Sequence, residues 1–263
     1  MTDTYEIYAV RYGHHDRKAA ENFIGGDDHD TDMPLDYFVW AIVGAERTFV
    51  LDTGFAEDMA QKRGRILVRP VGEGLKAIGV DPASVRDVIV SHMHYDHAGN
   101  LDLFPGARFH IQDAEMEFCT GRCMCHRMIN HAFEADHVST MVHRVFEGRV
   151  QFHDGADELS PGVTVHKVGG HTKGLQVVRV KTARGYVVLA SDATHLYGNL
   201  QRNHPFPVLY NMGDYLEGLA QVRRLASSPD HIIPGHDPLV LKQYPAARAG
   251  LGDIVRVDLE PVA

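Results

Sequence analysis

"VIVSHMHYDHAGNLDLF", residues 88–104, is the stretch on which the reading of this chain turns. The apolar run Val88-Ile89-Val90 reads as a buried strand. It stops at a serine followed by three histidines and an aspartate in six positions, His92, His94, Asp96 and His97. Imidazole and carboxylate next to a core are costly unless each finds a partner. In extended backbone His92 and His94 point the same way, because side chains alternate with a period of two. Asp96 and His97 then need a turn or a helix start to be re-aimed, and Gly99 with "NLDLF" after it suits a strand–loop–helix. Two nitrogens facing one way, with a carboxylate and a third imidazole facing another, suit two adjacent cations better than one.

The same punctuation recurs along the chain. Strands are predicted at 5–12, Tyr37–Val43 and Thr48–Leu51, the last two joined by the turn "VGAER". A long polar loop, 13–36, separates the first strand from this pair. Short helices are predicted at Pro70–Ile78 and Asp81–Arg86, then strands at Asp87–Val90 and Arg108–Ile111, and mostly helix over 113–147. Further strands fall at Val163–Val168, Gln176–Val180, Tyr186–Ala190 and His231–Ile233, with a helix at Asp214–Ala226. Four of these strands run into a histidine or aspartate: Val90 before His92, Val168 before "GGH" with His171, Ala190 before "SD" with Asp192, and Ile233 before "PGH" with His236. In α/β sheets ligands gather at one edge, outside the strand ends. The candidates divide into His92, His94 and His171 for one ion and Asp96, His97 and His236 for another, with Asp192 between them. Imidazole with carboxylate favours zinc; iron, manganese, cobalt and nickel accept the same donors.

Bulk properties agree with this. At 263 residues, 44% hydrophobic and 23% charged, the chain reads as one globular α/β (α+β) domain over 1–263. A formal charge of −9 argues against nucleic acid, and eighteen histidines fit a metal-binding chain. The N-terminus lacks a basic start followed by an apolar stretch, and no run approaches a membrane span, so the expected place is the cytoplasm, away from membranes.

The motifs "HMHYDH" at 92–97, "GGHT" at 169–172, "SD" at 191–192 and "PGH" at 234–236 resemble those of the metallo-β-lactamase superfamily. "LDTGF" at 51–55 is similar to the hairpin end that precedes the first helix there, with Asp52 supporting the metal loop. The resemblance implies a four-layer αββα sandwich of two mixed sheets with the metals at one edge. Class B β-lactamases generally lack the histidine at 97 and the bridging aspartate, and flavodiiron proteins carry glutamate where His94 stands. Glyoxalase II adds a C-terminal helical region, for which the 27 residues after His236 are too few. The N-acyl homoserine lactone lactonases and related catabolic lactonases are the nearest branch, by length, by "DYFVWAI" before the hairpin and by "PGHDP". Two departures stand out: His195 replaces the tyrosine those lactonases carry three residues after the bridging aspartate, and Leu175 stands where many relatives have histidine.

The implied chemistry is attack on a lactone carbonyl by a hydroxide shared between two divalent cations, leaving a hydroxy acid. Asp96 or Asp192 would carry the proton to the leaving oxygen, and His195 or Tyr197 would donate a hydrogen bond to the carbonyl. Another carboxylic ester, amide or thioester is the alternative substrate; a phosphodiesterase or a non-catalytic metal-binding module is disfavoured. The expected partner is a small-molecule lactone or ester, and the resemblance alone points to a homodimer. Cys119, Cys123 and Cys125, with His126, have no familiar zinc spacing and read as free thiols. The acidic "GGDDHDTD" (25–32) reads as a solvated loop. "HHD" at 14–16 and "RNHPFP" at 202–207, with Met33 and Phe206 as apolar walls, are candidate pocket lining. Lys173 and Arg202 are candidate anchors for a substrate carboxylate.

Overall fold

The structure, a computed structural model, describes residues 4–29 and 31–262. The chain opens with β1 (Glu6–His15), then β2 (Leu35–Val43) and β3 (Thr48–Leu51). Next come α1 (Glu57–Arg63), β4 (Ile66–Leu67), α2 (Val71–Ala77), β5 (Asp87–Ile89) and β6 (Arg108–Gln112). Helices α3 (Asp113–Cys119), α4 (Arg127–Asn130) and α5 (Ala135–Phe146) lead to β7 (Val150–His153) and β8 (Ala156–Ser160). Strands β9 (Val163–Lys167), β10 (Gln176–Thr182) and β11 (Gly185–Leu189) follow, then α6 (Tyr197–Arg202) and α7 (Met212–Leu225). The last elements are β12 (Ile232–Ile233), α8 (Leu239–Gln243) and β13 (Ile254–Arg256).

Two mixed sheets result. The larger runs β13-β1-β2-β3-β5-β6-β7 with β4 on β1, and the smaller runs β12-β11-β10-β9-β8. Alternation along the strands fixes which face meets what. In β2, Phe38, Trp40 and Ile42 join Val163, Val165, Val178, Val180, Val187 and Leu189 of the smaller sheet in one core between the sheets. The intervening Tyr37, Val39 and Ala41 face the opposite core, with Met59 of α1, Leu75 of α2 and Met141 of α5. Val188 of β11 and Ala190, just past its end, turn outward onto Leu219 and Val222 of α7. The central strands β2, β3 and β5 are therefore buried on both faces, which accounts for their continuous apolar runs. The layering is helix–sheet–sheet–helix, the four-layer sandwich that the motifs imply. Among the described residues no helix is long and apolar enough to cross a membrane.

Register brings the motif residues to one edge. Leu51 pairs with Ile89 in parallel, so the next residue, Asp52, reaches the chain at Ser91. Leu189 pairs with Ile233 in parallel, so Asp192 and His236 each follow three residues beyond the same rung.

Several boundaries differ from expectation. The segment expected as a helix over Asp81–Arg86 is only a 3-10 turn, Pro82–Ser84, because Val85 returns to extended backbone ahead of β5. The loop expected over 13–36 gives up its first residues to β1, which continues past a bulge between Arg11 and Gly13 as far as His15. Strands β4, β7, β8 and β13, and helices α1, α6 and α8, are additions to the expected elements. β8 is an edge strand whose residues are exposed or half-buried, so it carries no apolar alternation to read.

Candidate metal centre

The expected ligands converge. Donor atoms of His92, His94, His171 and Asp192 lie within 4.8 Å of one another, and so do those of Asp96, His97 and His236. Asp192 stands between the groups. Its Oδ1 is 2.9 Å from His236 Nε2 and 3.3 Å from His97 Nε2, while Oδ2 is 3.2 Å from His171 Nε2 and 3.8 Å from His92 Nε2. One carboxylate oxygen thus faces each set. The edge is locally strained: Asp52 and Ser191, neither of them glycine, both adopt positive φ (64° and 44°).

The far nitrogen of each imidazole shows what the near one offers. His171 Nδ1 is 2.7 Å from the Val208 carbonyl, His236 Nδ1 is 3.0 Å from the Asp36 carbonyl, and His97 Nδ1 is 2.7 Å from Asp52 Oδ2. Each of those oxygens only accepts, so each Nδ1 carries the proton and each Nε2 presents a lone pair. These lone pairs meet carboxylate oxygens or one another. His94 Nδ1 lies 3.0 Å from His92 Nε2 and 2.9 Å from His171 Nε2, and His97 Nε2 is buried with no hydrogen-bond partner among the described residues. His94 Nδ1 has at most one proton to give to His92 Nε2 and His171 Nε2, so acceptor is left facing acceptor in this set, and such pairs repel unless a cation lies among them. The donor set fits two divalent cations, and the Nδ1 partners are the outer hydrogen bonds that orient metal-binding histidines.

Charge perturbations differ between the two sets. Burial first, then the neighbouring imidazoles, hold His92 and His94 well below the usual histidine range, leaving them neutral as ligation requires. For His97, burial is outweighed by Asp192, Asp96 and Asp52, which draw its pKa well up. Asp192 is held well below the carboxylate range: burial opposes this, but His195, His236, His97 and His171 prevail.

One further residue escapes the sequence motifs. Glu115, fully buried at the start of α3, accepts from Met93 N (2.9 Å), Thr172 Oγ1 (2.6 Å) and Gly174 N (3.0 Å). It ties the loop bearing His92 and His94 to the loop bearing His171. The approach is so close that a Cβ on Gly174 would lie 2.1 Å from Glu115 N. A lone glutamate in the first turn of a helix has no local mark that distinguishes it from an ordinary N-terminal acid.

The other expected residues divide. His195 lies in the centre: Nε2 is 3.0 Å from Asp192 Oδ2, and the ring stacks on Phe206 at 3.7 Å. Burial pushes its pKa down to about 3. Tyr197 is not there; it begins α6, and its side chain lines a separate cavity with Leu200 and Tyr244. Phe206 walls the metal-edge cavity, whereas Met33 packs behind it. Lys173 pairs with Glu117 and Arg202 with Asp27, so neither anchor faces the cavity. In the acidic loop Asp27 also binds His29, and Asp30 lies outside the described residues. All three cysteines are free, and no metal-holding group among the described residues includes one.

The metal edge opens into a cavity of about 290 Å³, floored by His94, Asp96, His171, Asp192, His195 and His236. Arg17, Arg63, Arg65 and Tyr95 stand around it. A larger, separate cavity of about 600 Å³ is bounded by Cys119, Phe133 and Val138, and the Phe133 ring meets that of His94 edge-on at 4.5 Å. The convergent polar groups belong to the smaller cavity, and chemistry belongs with them.

The family model described as Metallo-beta-lactamase superfamily matches residues 33–236. The N-acyl homoserine lactonase AttM of Agrobacterium fabrum is 26% identical over 240 residues, covering 81% of this chain and 85% of its own. A quorum-quenching N-acyl homoserine lactone lactonase of known crystal structure superposes with a TM-score of 0.74 at 21% identity, covering 91% of this chain and 94% of its own. The dizinc quorum-quenching lactonase AidC, in complex with a product, gives 0.67 at 15% identity, covering 90% and 92%. At such identities the two structural likenesses establish the fold.

Proposed function

The chain belongs to the metallo-β-lactamase superfamily, and from that premise we propose that it is a metal-dependent hydrolase that opens a lactone ring. The observation that carries the reading is Asp192, whose two oxygens face two separate sets of histidines. His92, His94 and His171 would hold one divalent cation, Asp96, His97 and His236 the other, and Asp192 both. Zinc is the first choice for that donor set. Bound there, the cations supply Lewis acidity, polarising a carbonyl and making water acidic enough to serve as a nucleophile near neutral pH. The curated relative AttM, a lactonase aligned over most of both chains, supports the ester over other substrates.

The chain's own residues do the remaining work. Asp52 and Ser91 orient the ligand loop, Asp52 accepting from Ser91 N, Ser91 Oγ and His97 Nδ1. Asp192 would face both cations and takes His195 besides, whereas Asp96 would face one cation and lies on the cavity floor, so Asp96 is assigned the transfer of a proton to the leaving oxygen. With Nε2–H given to Asp192, His195 keeps only a lone pair at Nδ1, which makes it a holder of Asp192 rather than a donor to the carbonyl. Tyr197, outside the cavity, takes no part.

Dialysis against a strong chelator is expected to reduce lactone hydrolysis, followed by proton release, to the background rate. Zinc or cobalt at two equivalents should restore it. Undiminished hydrolysis by a protein that elemental analysis finds free of metal would refute the proposal.

A further inference from the structure

Positive charge collects around the metal-edge cavity of a chain whose formal charge is −9. Three arginines line it, and their partners differ. Arg63 is neutralised by Glu134, whose carboxylate also takes Lys62. Arg17 and Arg65 have no ion pair among the described residues. Arg17, just after β1, donates from Nε to Asn22 Oδ1 (2.8 Å) and from Nη2 to the Glu21 carbonyl (2.5 Å). Arg65, just before β4, donates to Tyr95 Oη (3.1 Å) and the Arg63 carbonyl (2.7 Å), and its Nη1 lies 3.1 Å from His15 Nε2. Nearby carboxylates form no ion pair with either: Asp36 pairs with Arg11 and His14, Glu21 accepts from Lys18 N while its charge still acts on Arg17, and Asp96 and Asp192 face the metal-site imidazoles.

Both guanidiniums are half-buried, where an unpaired charge is costly. Burial pulls the Arg17 pKa down, whereas for Arg65 burial is outweighed by Tyr37 and Tyr95, which raise it. Burial, then the charges of Arg65 and Arg17, push His15 down to about 4, so both arginines act on one spot. Each is also one aromatic ring from the centre. Arg17 lies over Phe206, which stacks on His195, and Arg65 holds the hydroxyl of Tyr95, which sits between His94 and Asp96 in the ligand loop.

We infer that Arg17 and Arg65 form a carboxylate clamp, and that the substrate is a small lactone bearing a carboxylate beside its ring. The inference rests on the lactone reading above and narrows it. Arginine pairs tightly with planar oxyanions, and a cavity of about 290 Å³ suits a small acidic ring better than one trailing a long apolar chain.

The test uses the metal-loaded full chain and two matched compounds, γ-butyrolactone-γ-carboxylate and its neutral primary amide. The acid should be hydrolysed with a kcat/KM about 100-fold above that of the amide. Arg17→Gln and Arg65→Gln should each lower the acid-to-amide ratio about tenfold, with Arg65→Lys recovering part of it. Because the ratio is internal to each variant, impaired folding does not move it. Calorimetric binding of the lactam pyroglutamate against its primary amide forms a second arm that needs no turnover. Equal rates for acid and amide, with hydrolysis intact, overturn the clamp and leave the lactone reading standing. If neither lactone is opened, that reading fails and binding decides the clamp: preference for pyroglutamate that both glutamine variants abolish upholds it, and equal affinity for acid and amide overturns it.

Discussion

Replacing Asp192 with asparagine is expected to lower kcat/KM for lactone hydrolysis about a thousandfold, the kinetic equivalent of roughly 4 kcal/mol. The substitution preserves shape and removes one charge. Asp192 Oδ1 lies 2.9 Å from His236 Nε2, and Oδ2 lies 3.0 Å from His195 Nε2 and 3.2 Å from His171 Nε2. An amide offers one acceptor oxygen, so its NH₂ must occupy the other position. There it faces one histidine set with donors where a cation needs a negatively charged oxygen. Elemental analysis of the purified variant should show less than two metal equivalents per chain, while circular dichroism stays native-like. An Asp192→Asn enzyme within tenfold of wild type and fully metallated would remove the residue from the centre.

Asp192 is legible in the sequence because it shares a pattern. A strand ends and a polar ligand follows, at Val90, Val168, Ala190 and Ile233 alike, and the parallel pairing of Leu189 with Ile233 turns that repetition into proximity. The apolar runs 37–43 of β2 and 187–189 of β11 are equally readable, since strands buried on both faces carry no polar interruption there. What stays hidden lacks either signal. β8 is polar along most of its length, and β4 spans two residues. Arg17 and Arg65 belong to different segments that meet only because β4 pairs antiparallel with the far end of β1, Gly13 opposite Leu67. Lys173 and Arg202 are the basic residues next to recognisable motifs, yet each is committed to a carboxylate outside the cavity. Nearness to a motif along the chain is a poor guide to which cation faces a cavity, because long side chains choose partners across the fold.

Glu115 belongs to the hidden group, and its replacement is the second large effect expected. Three donors converge on its carboxylate: Met93 N on Oε1, and Thr172 Oγ1 with Gly174 N on Oε2. Burial raises its pKa, against the pull of these hydrogen bonds. Glu115→Gln would turn an amide NH₂ toward a backbone N–H or leave that N–H buried and unpaired, so the chelated protein should lose about 3 kcal/mol of stability in denaturant unfolding. Thr172→Val removes one neutral donor and leaves the two backbone bonds, for an expected loss of about 1 kcal/mol. Stability alone would not separate a clamp on the ligand loops from an ordinary core residue. Metal affinity does, because Met93 lies between His92 and His94 while Thr172 follows His171 directly. Zinc affinity, read by competition with a chromophoric chelator, should fall about 10- to 100-fold in Glu115→Gln, the range seen when hydrogen bonds outside a metal's own ligands are cut. A variant that is less stable but binds zinc as wild type does would make Glu115 a packing residue. One that loses both would mean that the two loops reach their metal-binding arrangement only because this carboxylate holds them together.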